Sequence, residues 1–312
     1  MTPRDKVDFL MQTIDYRLVL PCIARMPLIL GESLAGFRGA LQAIIDYDWR
    51  SMALRERYVR KNTYQAMRTM MPEAGRRRWV GATLERFIHY SIEEWEACLF
   101  GESVMGSIAR NSTIEGLEEL LEIRNQGRGI VLVSSHFGSF CMGMVLLGMH
   151  GLRTNVVNTS MIEDPRIHAA VRAFFQRKYR AMEHHMGGKM VYHEVDRAFF
   201  YRALEKGETV VVLVDTQGSK STVFIPFLGR NLRVPLGAWY MAKETGSPLG
   251  AYVCLRQAPG CYRIICHPLR EIDSLNPRDA MLPIYSFLES WMKKAPQRWL
   301  AAEHLMHYSD LP

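Results

Sequence analysis

The sequence lacks the paired cysteines that zinc sites and disulfide-rich domains require. Its six cysteines form no CxxC pair and show no spacing typical of zinc ligands; they stand at positions 22, 98, 141, 254, 261 and 266. Scattered cysteines of this kind are typical of reduced thiols in a cytosolic protein. We therefore expect no disulfide framework and no metal site.

Long uninterrupted apolar runs are also missing. The apolar stretch 18–34 contains Arg25 and Glu32, so it is too short and too charged to predict a membrane span. Charged residues at 4–6 and at Asp8 interrupt the apolar core that a signal peptide needs. We expect a cytoplasmic protein in which this stretch forms an amphipathic helix. That helix would lie against the domain or peripherally on the inner membrane.

The chain has no low-complexity tract and no internal repeat, and its composition is that of a globular protein. Of its 312 residues 48% are hydrophobic and 23% charged, which is enough to bury a sizeable core. The formal charge of +7 is concentrated at 55–61, 76–78 and 172–180. These clusters are dispersed and no nucleic-acid motif accompanies them, so nucleic acid is not the expected partner. They fit anionic lipid or an acidic carrier protein better.

The stretch 128–149 organises the rest of the chain. Its short β-branched run, 130–133, predicts a strand that is buried on both faces. Small polar residues follow the run, and then the apolar stretch 140–149 predicts a helix. A polar turn between a buried strand and a helix lies at the carboxyl edge of an α/β sheet, where ligands bind. His136 is the one titratable side chain in this turn.

The remaining pattern predicts an α/β fold with a mostly parallel central sheet covered by helices. Residues 1–125 read as a helical N-terminal region, and 126–312 as the α/β core, the two forming one integrated domain. Strands and helices alternate after residue 126, which is typical of parallel strands. Two late segments, 249–256 and 262–268, flank Pro259-Gly260 and predict an antiparallel hairpin.

His136 suits a general base, because imidazole exchanges protons near neutral pH and the following helix can fix its orientation. A core histidine that donates to a backbone carbonyl is the structural alternative. The neighbouring small residues Gly138 and Ser139 favour the base, since they leave room for a substrate and for N–H groups near a helix start. We count both residues among the candidate substrate-binding groups.

Two further residues are candidates for substrate binding. Asp215 ends a predicted strand, 209–214, at the same sheet edge, where it could act as a functional carboxylate or as a structural cap beside the site. We favour the structural role. Arg230 follows Phe227-Leu228-Gly229 and could hold a phosphate or carboxylate with both arms of its guanidinium, or lie solvated in a turn.

These segments together resemble the lipid A biosynthesis acyltransferases, within the glycerophosphate and lysophospholipid acyltransferase superfamily. The similarity covers roughly residues 15–305, and its specificity comes from the order and spacing of the motifs. The matching segments are His136-Phe137-Gly138-Ser139-Phe140, Val212-Leu213-Val214-Asp215, Phe227-Leu228-Gly229-Arg230, Gly237 with Ala242, Thr245-Gly246-Ser247-Pro248 and Pro296-Gln297-Arg298-Trp299.

The resemblance implies a cytosol-facing enzyme that works without metal or cofactor. It implies an acyl thioester donor, carried by acyl carrier protein or coenzyme A, and a hydroxyl or amine acceptor. Three departures count against a lipid A precursor as that acceptor. The residue five after the motif histidine is Cys141 instead of Asp or Glu, the segment 158–160 lacks the family's Arg, and the first apolar helix is interrupted.

Cys141 has three interpretations. It could be a small apolar residue in a site that has lost activity or recruited another carboxylate. It could be a weak hydrogen-bond partner of His136. It could also be a nucleophile, because a thiol near a helix N-terminus and beside an imidazole is poised to ionise and to accept an acyl group from a thioester. We favour the nucleophile, which predicts transfer through a Cys141 thioester.

The sequence therefore predicts an acyltransferase that moves an acyl group from a carrier thioester to an amine or hydroxyl, in a specialised lipid or natural-product pathway. His136 would act as base, and N–H groups at the helix start would stabilise the oxyanion. Two alternatives remain open. One is a Cys-His thioesterase that releases the acyl group to water, and the other is a non-catalytic protein that binds acyl groups or a carrier protein.

Overall fold

The computed structural model describes residues 3–215 and 221–307, and it confirms the predicted α/β class. A seven-stranded sheet has the strand order β1-β9-β8-β2-β5-β3-β4, and all neighbouring pairs are parallel except β8 and β9. A separate two-stranded antiparallel sheet consists of β6 and β7. The strands are β1 (Thr113–Glu115), β2 (Ile130–Ser134), β3 (Thr154–Asn158), β4 (Gly187–Tyr192), β5 (Thr209–Leu213), β6 (Thr222–Phe227), β7 (Arg230–Pro235), β8 (Leu249–Ala258) and β9 (Cys261–Arg270).

Helices precede the sheet and cover both of its faces. The α-helices are α1 (Pro3–Ile14), α2 (Leu20–Ala24), α3 (Leu28–Ile45), α4 (Trp49–Leu54), α5 (Val59–Met70), α6 (Arg76–Leu99), α7 (Met105–Arg110), α8 (Leu117–Asn125), α9 (Phe140–Met149), α10 (Ala169–Met186), α11 (Ala198–Glu205), α12 (Gly237–Thr245) and α13 (Pro277–Lys294). A π-helical turn, Asp15–Val19, joins α1 to α2, and shorter 3₁₀ segments are Ser160–Glu163, Pro296–Arg298 and Ala302–His307.

The N-terminal helices share a hydrophobic core with the sheet. Tyr16 and Trp95 are almost fully buried and belong to the same apolar cluster as Leu132 of β2 and Phe174 of α10. A second cluster lies on the other face of the sheet and includes Val131 of β2. Because alternate β2 side chains enter the two clusters, both faces of this strand are buried, as the β-branched run 130–133 predicts.

The central pair of strands fixes the position of the candidate site. β2 and β5 are parallel neighbours, with Ser134 opposite Leu213, and the Val214 N–H donates to the Ser134 carbonyl at 3.0 Å. Both strands end at the same edge of the sheet. The residues that follow them, including His136 and Asp215, therefore emerge side by side at the carboxyl edge, where α/β sheets bind ligands.

Two strands differ from the sequence-based expectation. The N-terminal region contributes β1, a three-residue edge strand that pairs with β9, although the pattern predicts only helices there. The sequence indicates a strand at 223–227 that ends in a turn at 228–230, but the chain turns back there as β7, so this strand, β6, is one strand of a hairpin. The hairpin of β8 and β9 is confirmed, and Gly260 at its turn has the positive φ that this turn requires.

Candidate active site

The loop between β2 and α9 depends on a glycine at position 138. Gly138 has a φ of 62°, a left-handed conformation that other residues adopt only with strain. A Cβ at this position would lie 2.3 Å from the carbonyl oxygen of Cys254 in β8. Glycine is therefore required both by the backbone conformation and by the close approach of β8. The bend it permits brings the chain from β2 into α9 with His136 at the sheet edge.

The imidazole of His136 is bound to the carboxylate of Asp215. The Nδ1 of His136 lies 2.8 Å from Oδ1 of Asp215, and the backbone N–H of His136 donates to Oδ2 at 2.8 Å. The carboxylate is buried, whereas 29% of the imidazole is exposed. With Nδ1 occupied by the carboxylate, Nε2 is the ring nitrogen available to a substrate. A buried acid that orients a partly exposed imidazole is the geometry of a general base.

Asp215 is held in its ionised form by several donors. The indole N–H of Trp299 donates to Oδ2 at 2.8 Å, beside the donation from the His136 backbone. Burial alone would raise the pKa of Asp215, but the attraction of His136 and the hydrogen bonds from His136 and Trp299 outweigh it and lower the pKa below its usual value. Oδ2 is thus saturated by N–H donors, which leaves Oδ1 to the imidazole.

The segment Arg298–Leu300 binds the loop between β2 and α9 from the other side. The Leu300 N–H donates to the His136 carbonyl at 2.7 Å, and the Gly138 N–H donates to the Arg298 carbonyl at 2.9 Å. Together with the Trp299 indole, these bonds fix both the loop backbone and the carboxylate. The motif Pro296-Gln297-Arg298-Trp299 therefore has a structural task at the site.

Cys141 lies in a different environment from His136. Its side chain is buried in the first turn of α9 and contacts the ion pair of Lys178 and Glu93, whose Nζ and Oε1 atoms are 2.5 Å apart. Burial raises the pKa of the Cys141 thiol well above its usual value, and the charge of Lys178 does not offset this effect. Within the described residues no hydrogen bond joins the thiol to the imidazole. The interpretation of Cys141 as a hydrogen-bond partner of His136 is therefore not supported by these contacts, and the imidazole binds Asp215 instead.

The polar groups of Gly138 and Ser139 are already engaged. The Ser139 N–H donates to the Cys254 carbonyl at 3.0 Å, and the Gly138 N–H is bound to Arg298 as described. The Ser139 hydroxyl donates to Oε1 of Glu96 at 2.9 Å. Neither residue offers the free donor that the sequence predicts for an oxyanion. The N–H groups of Phe140, Cys141 and Met142 precede the first intrahelical bond, which Gly143 donates to the Ser139 carbonyl at 3.0 Å, and they point to the same end of α9.

Glu96 is a buried acid of α6 that sequence reasoning does not identify as part of the site. It accepts hydrogen bonds from Ser139 and from the Tyr262 hydroxyl, the latter at 3.1 Å. Burial raises its pKa to about 7, in spite of the opposing charge of Arg256 and the hydrogen bond from Ser139. The signal in the sequence is three glutamates at 93–96 of an otherwise apolar helical stretch, all of which are buried.

Arg230 lies outside the loop that carries His136, and its place in the fold is known from its strand. It begins β7 next to the hairpin turn and pairs with Phe227 of β6. Two cavities of the described structure lie beside the loop between β2 and α9, and Arg230 lines neither of them. Arg233 on the same strand does line one, together with Ser135, Asp215 and apolar side chains of the hairpin and α13. The other opens beside Gly138 and Ser139.

Comparisons with known proteins gave two matches. A family model described as bacterial lipid A biosynthesis acyltransferase matches residues 28–305. A lipid A biosynthesis lauroyltransferase of Escherichia coli (strain K12) is 29% identical over 164 residues, which make up 52% of this chain and 50% of that protein. The matched segment spans about half the length of this curated relative.

Proposed function

The chain belongs to the bacterial lipid A biosynthesis acyltransferase family, and from this premise we propose that it transfers an acyl group from a carrier thioester to a hydroxyl or amine with His136 as general base. The observation that carries the proposal is the pairing of His136 Nδ1 with the buried Asp215 carboxylate at 2.8 Å. This pairing leaves a partly exposed Nε2 at the carboxyl edge of the sheet.

In the proposed reaction, Nε2 of His136 removes the proton of the acceptor while the acceptor oxygen or nitrogen attacks the thioester carbonyl carbon. The tetrahedral intermediate then collapses as its C–S bond breaks. The protonated imidazole gives the same proton to the departing sulfur, so the ester or amide and a free thiol are the products. In this scheme no covalent bond forms between the acyl group and the enzyme.

In this proposal Asp215 has the role that the resemblance assigns to the acid five residues after the histidine. It sets the imidazole tautomer with hydrogen on Nδ1 and stabilises the imidazolium that forms during attack. Its lowered pKa keeps it ionised at neutral pH. This is the interpretation of position 141 in which the site recruits another carboxylate, and it makes Asp215 a positioning residue for the base.

The start of α9 is our candidate for stabilising the oxyanion. Gly138 and Ser139 have already donated their N–H groups to carbonyls, so the donors fall to the first helical turn, at Phe140 and Cys141. The N-terminus of a helix carries a positive partial charge, which favours an oxyanion there. In this scheme Cys141 contributes backbone only, and its thiol stays protonated within the core.

The acceptor is proposed to be a lipid of the type that the family name implies. The departure at Cys141 counted against such an acceptor in the sequence, but Asp215 supplies the missing carboxylate from a neighbouring strand. That departure therefore carries no information about the acceptor. The partly matched relative is named a lauroyltransferase, which makes a medium-length acyl thioester of carrier protein or coenzyme A the first donor to test.

An exposed apolar face on the N-terminal helices supports contact with a membrane. Ile29, Phe37, Leu41 and Ile44 of α3 are all exposed, with Phe37 at 63% and Ile44 at 67%. The stretch Leu28–Leu54 is long and apolar enough to cross a membrane by length and composition, and 33% of its most apolar part is buried in the fold. Exposed apolar residues at this density are typical of an interfacial helix. We propose a peripheral position on the inner membrane.

The test is acyl transfer by the purified full chain from lauroyl thioester of acyl carrier protein or of coenzyme A to a lipid acceptor, read by product mass. His136→Ala is expected to lower the rate by about 10²–10⁴-fold, as loss of a general base does. His184→Ala is the matched control, because His184 is exposed near the C-terminus of α10, which leads into the opposite edge of the sheet. Equal rates in wild type and His136→Ala would contradict the proposal.

The same assay without acceptor separates the two alternatives. Release of free fatty acid at the rate of transfer would indicate a thioesterase. Tight carrier binding with no product in either arm, unchanged in His136→Ala, would indicate a non-catalytic binding protein. The His136–Asp215 pair favours turnover, because a binding protein has no need of a histidine whose ring Nδ1 and backbone N–H are both bound to one buried acid.

A further inference from the structure

A cleft beside the catalytic loop is lined by two arginines. Arg256 of β8 and Arg298 of the 3₁₀ segment Pro296–Arg298 line it together with His89 of α6, and Gly138 and Ser139 of the loop after β2 also line it. The cleft encloses about 260 Å³, part of it open to solvent. Neither arginine has a role in the reaction described above.

Arg298 is a half-buried cation without an acid. Its guanidinium has no ion pair or hydrogen bond with any of the described residues, although its backbone is tied to Gly138. Burial lowers the pKa of Arg298, and the nearby charge of Arg256 lowers it further. A partly desolvated cation next to a like charge is unfavourable in the free protein. Such an arrangement is expected where an anion completes the site.

The acids near the cleft do not neutralise both arginines. In the part of the chain that the structure describes, Arg256 has one acidic partner, Glu32, with Nη1 and Oε1 3.6 Å apart and side chains mostly buried. Glu96 also lines the cleft, but it accepts hydrogen bonds from Ser139 and Tyr262, and its pKa of about 7 leaves it partly protonated.

His89 adds no charge to the cleft. Burial and the two arginines lower its pKa to about 3, so the ring is neutral at physiological pH. A neutral imidazole can donate or accept a hydrogen bond without changing the charge balance. The cleft therefore keeps a net positive charge that comes from Arg298 and part of Arg256.

We propose that Arg256 and Arg298 bind a phosphate group of a substrate of the acyl-transfer reaction, and this rests on the proposed function. Guanidinium groups match the oxygens of a phosphate with paired, charge-assisted hydrogen bonds, and their positive charge offsets the negative charge of the phosphate. The link from the Arg298 carbonyl to the Gly138 N–H places the bound phosphate a fixed distance from His136. The phosphate belongs either to the phosphopantetheine arm of the donor or to a phosphorylated acceptor.

Calorimetric titration of the full chain with inorganic phosphate tests the site without turnover. Arg298→Ala is expected to weaken binding by about 10-fold or more, the loss of one charge-assisted contact. Arg256→Ala should also weaken it, and Arg298→Lys should restore part of it. Arg77→Ala, on an exposed residue of α6, removes the same charge elsewhere and should leave the affinity unchanged. Equal affinities in wild type and both alanine variants would overturn the proposal, as would acetate binding as tightly as phosphate.

Further arms identify the source of the phosphate and separate this site from the catalytic proposal. Phosphopantetheine and glucose 1-phosphate are titrated in turn, and the one whose affinity falls in Arg298→Ala contains the recognised group. If neither affinity depends on Arg298, the substrate assignment is overturned. His136→Ala is expected to bind phosphate like wild type. If the chain shows no acyl transfer but phosphate binding depends on Arg298, the proposed reaction fails while the anion site stands.

Discussion

The carboxylate of Asp215 holds His136 at two points, since Oδ1 lies 2.8 Å from the ring Nδ1 and Oδ2 accepts the backbone N–H at 2.8 Å. The two residues are 79 positions apart in the chain. They meet because β2 and β5 are adjacent parallel strands that end at the same edge. One carboxylate thus fixes both the place of the loop and the orientation of the imidazole.

Asp215→Asn should lower the rate of acyl transfer by roughly 10²–10⁴-fold with little change in substrate affinity. The amide oxygen can still accept from Trp299 and from the His136 backbone, so the loop should keep its position. The amide NH₂ then faces Nδ1 and favours the wrong tautomer, with the hydrogen on Nε2. Steady-state kinetics would measure the effect, and circular dichroism would show that the fold is intact.

Glu271→Gln is the matched control for that variant. Glu271 is exposed and pairs with Arg128, which precedes β2 at the opposite edge of the sheet. Its loss should leave the rate within about 2-fold of wild type. A rate for Asp215→Asn that equals the rate of this control would show that the carboxylate does not support the base.

Cys141→Ala should retain acyl transfer within a few-fold, because the thiol is buried against Lys178 and Glu93 and its pKa is raised. The sequence-based prediction of a thioester relay requires the opposite result, a loss of activity and an acyl adduct on wild type. Intact-mass spectrometry after mixing with acyl thioester would detect such an adduct. Iodoacetamide at neutral pH should modify the exposed Cys22 and spare Cys141 in the native protein.

The sequence predicts the place of the site better than its contacts. The buried run 130–133 predicts β2, and the strand that ends at Asp215 is predicted to reach the same edge. The partner of His136 is not predictable in this way, because it depends on which strand lies next to β2. Spacing along the chain instead favours Cys141, five residues away, but the direction in which α9 turns its first side chains is set by packing against α10.

Short strands and clusters of charged side chains are also not predictable from the sequence. The three residues of β1 are too few for a periodic signal, so only pairing with β9 defines them as a strand. Arg256, Arg298 and His89 come from a strand, a 3₁₀ segment and a helix, and no sequence pattern connects them. Their convergence beside Gly138 is a property of the folded chain alone.

Glu96→Gln should stabilise the protein at high pH and have little effect at low pH. Because burial raises the pKa of Glu96 to about 7, the folded state keeps a proton that the unfolded state has lost. The protonated acid therefore contributes stability that is complete below the unfolded pKa and is lost as the pH rises through about 7. Glutamine can accept the same hydrogen bonds from Ser139 and Tyr262 and does not ionise.

Urea unfolding of wild type and of Glu96→Gln at about pH 5 and about pH 8 measures the difference between their free energies of unfolding. We expect this difference to grow from the lower to the higher pH by ~1–3 kcal/mol in favour of Glu96→Gln. Comparing the two proteins at each pH cancels the groups that titrate in both. Glu119→Gln, a glutamate of α8 outside the site, is the matched control and should give the same difference at both pH values. A difference for Glu96→Gln that does not change with pH would contradict a raised pKa.

Replacing two exposed apolar residues of α3 by aspartate, in the double variant Phe37→Asp with Ile44→Asp, should abolish binding to phosphatidylglycerol vesicles. Burial of a large apolar side chain is worth about 1.5–3 kcal/mol, so the loss of two should weaken binding by about 10²-fold or more. Both side chains are over 60% exposed in the fold, and the free energy of unfolding should change by less than about 0.5 kcal/mol for each substitution.

Val195→Asp, at a residue that is 78% exposed outside the N-terminal helices, is the control. Vesicle flotation that is equal in the double variant and in wild type would place the membrane contact elsewhere.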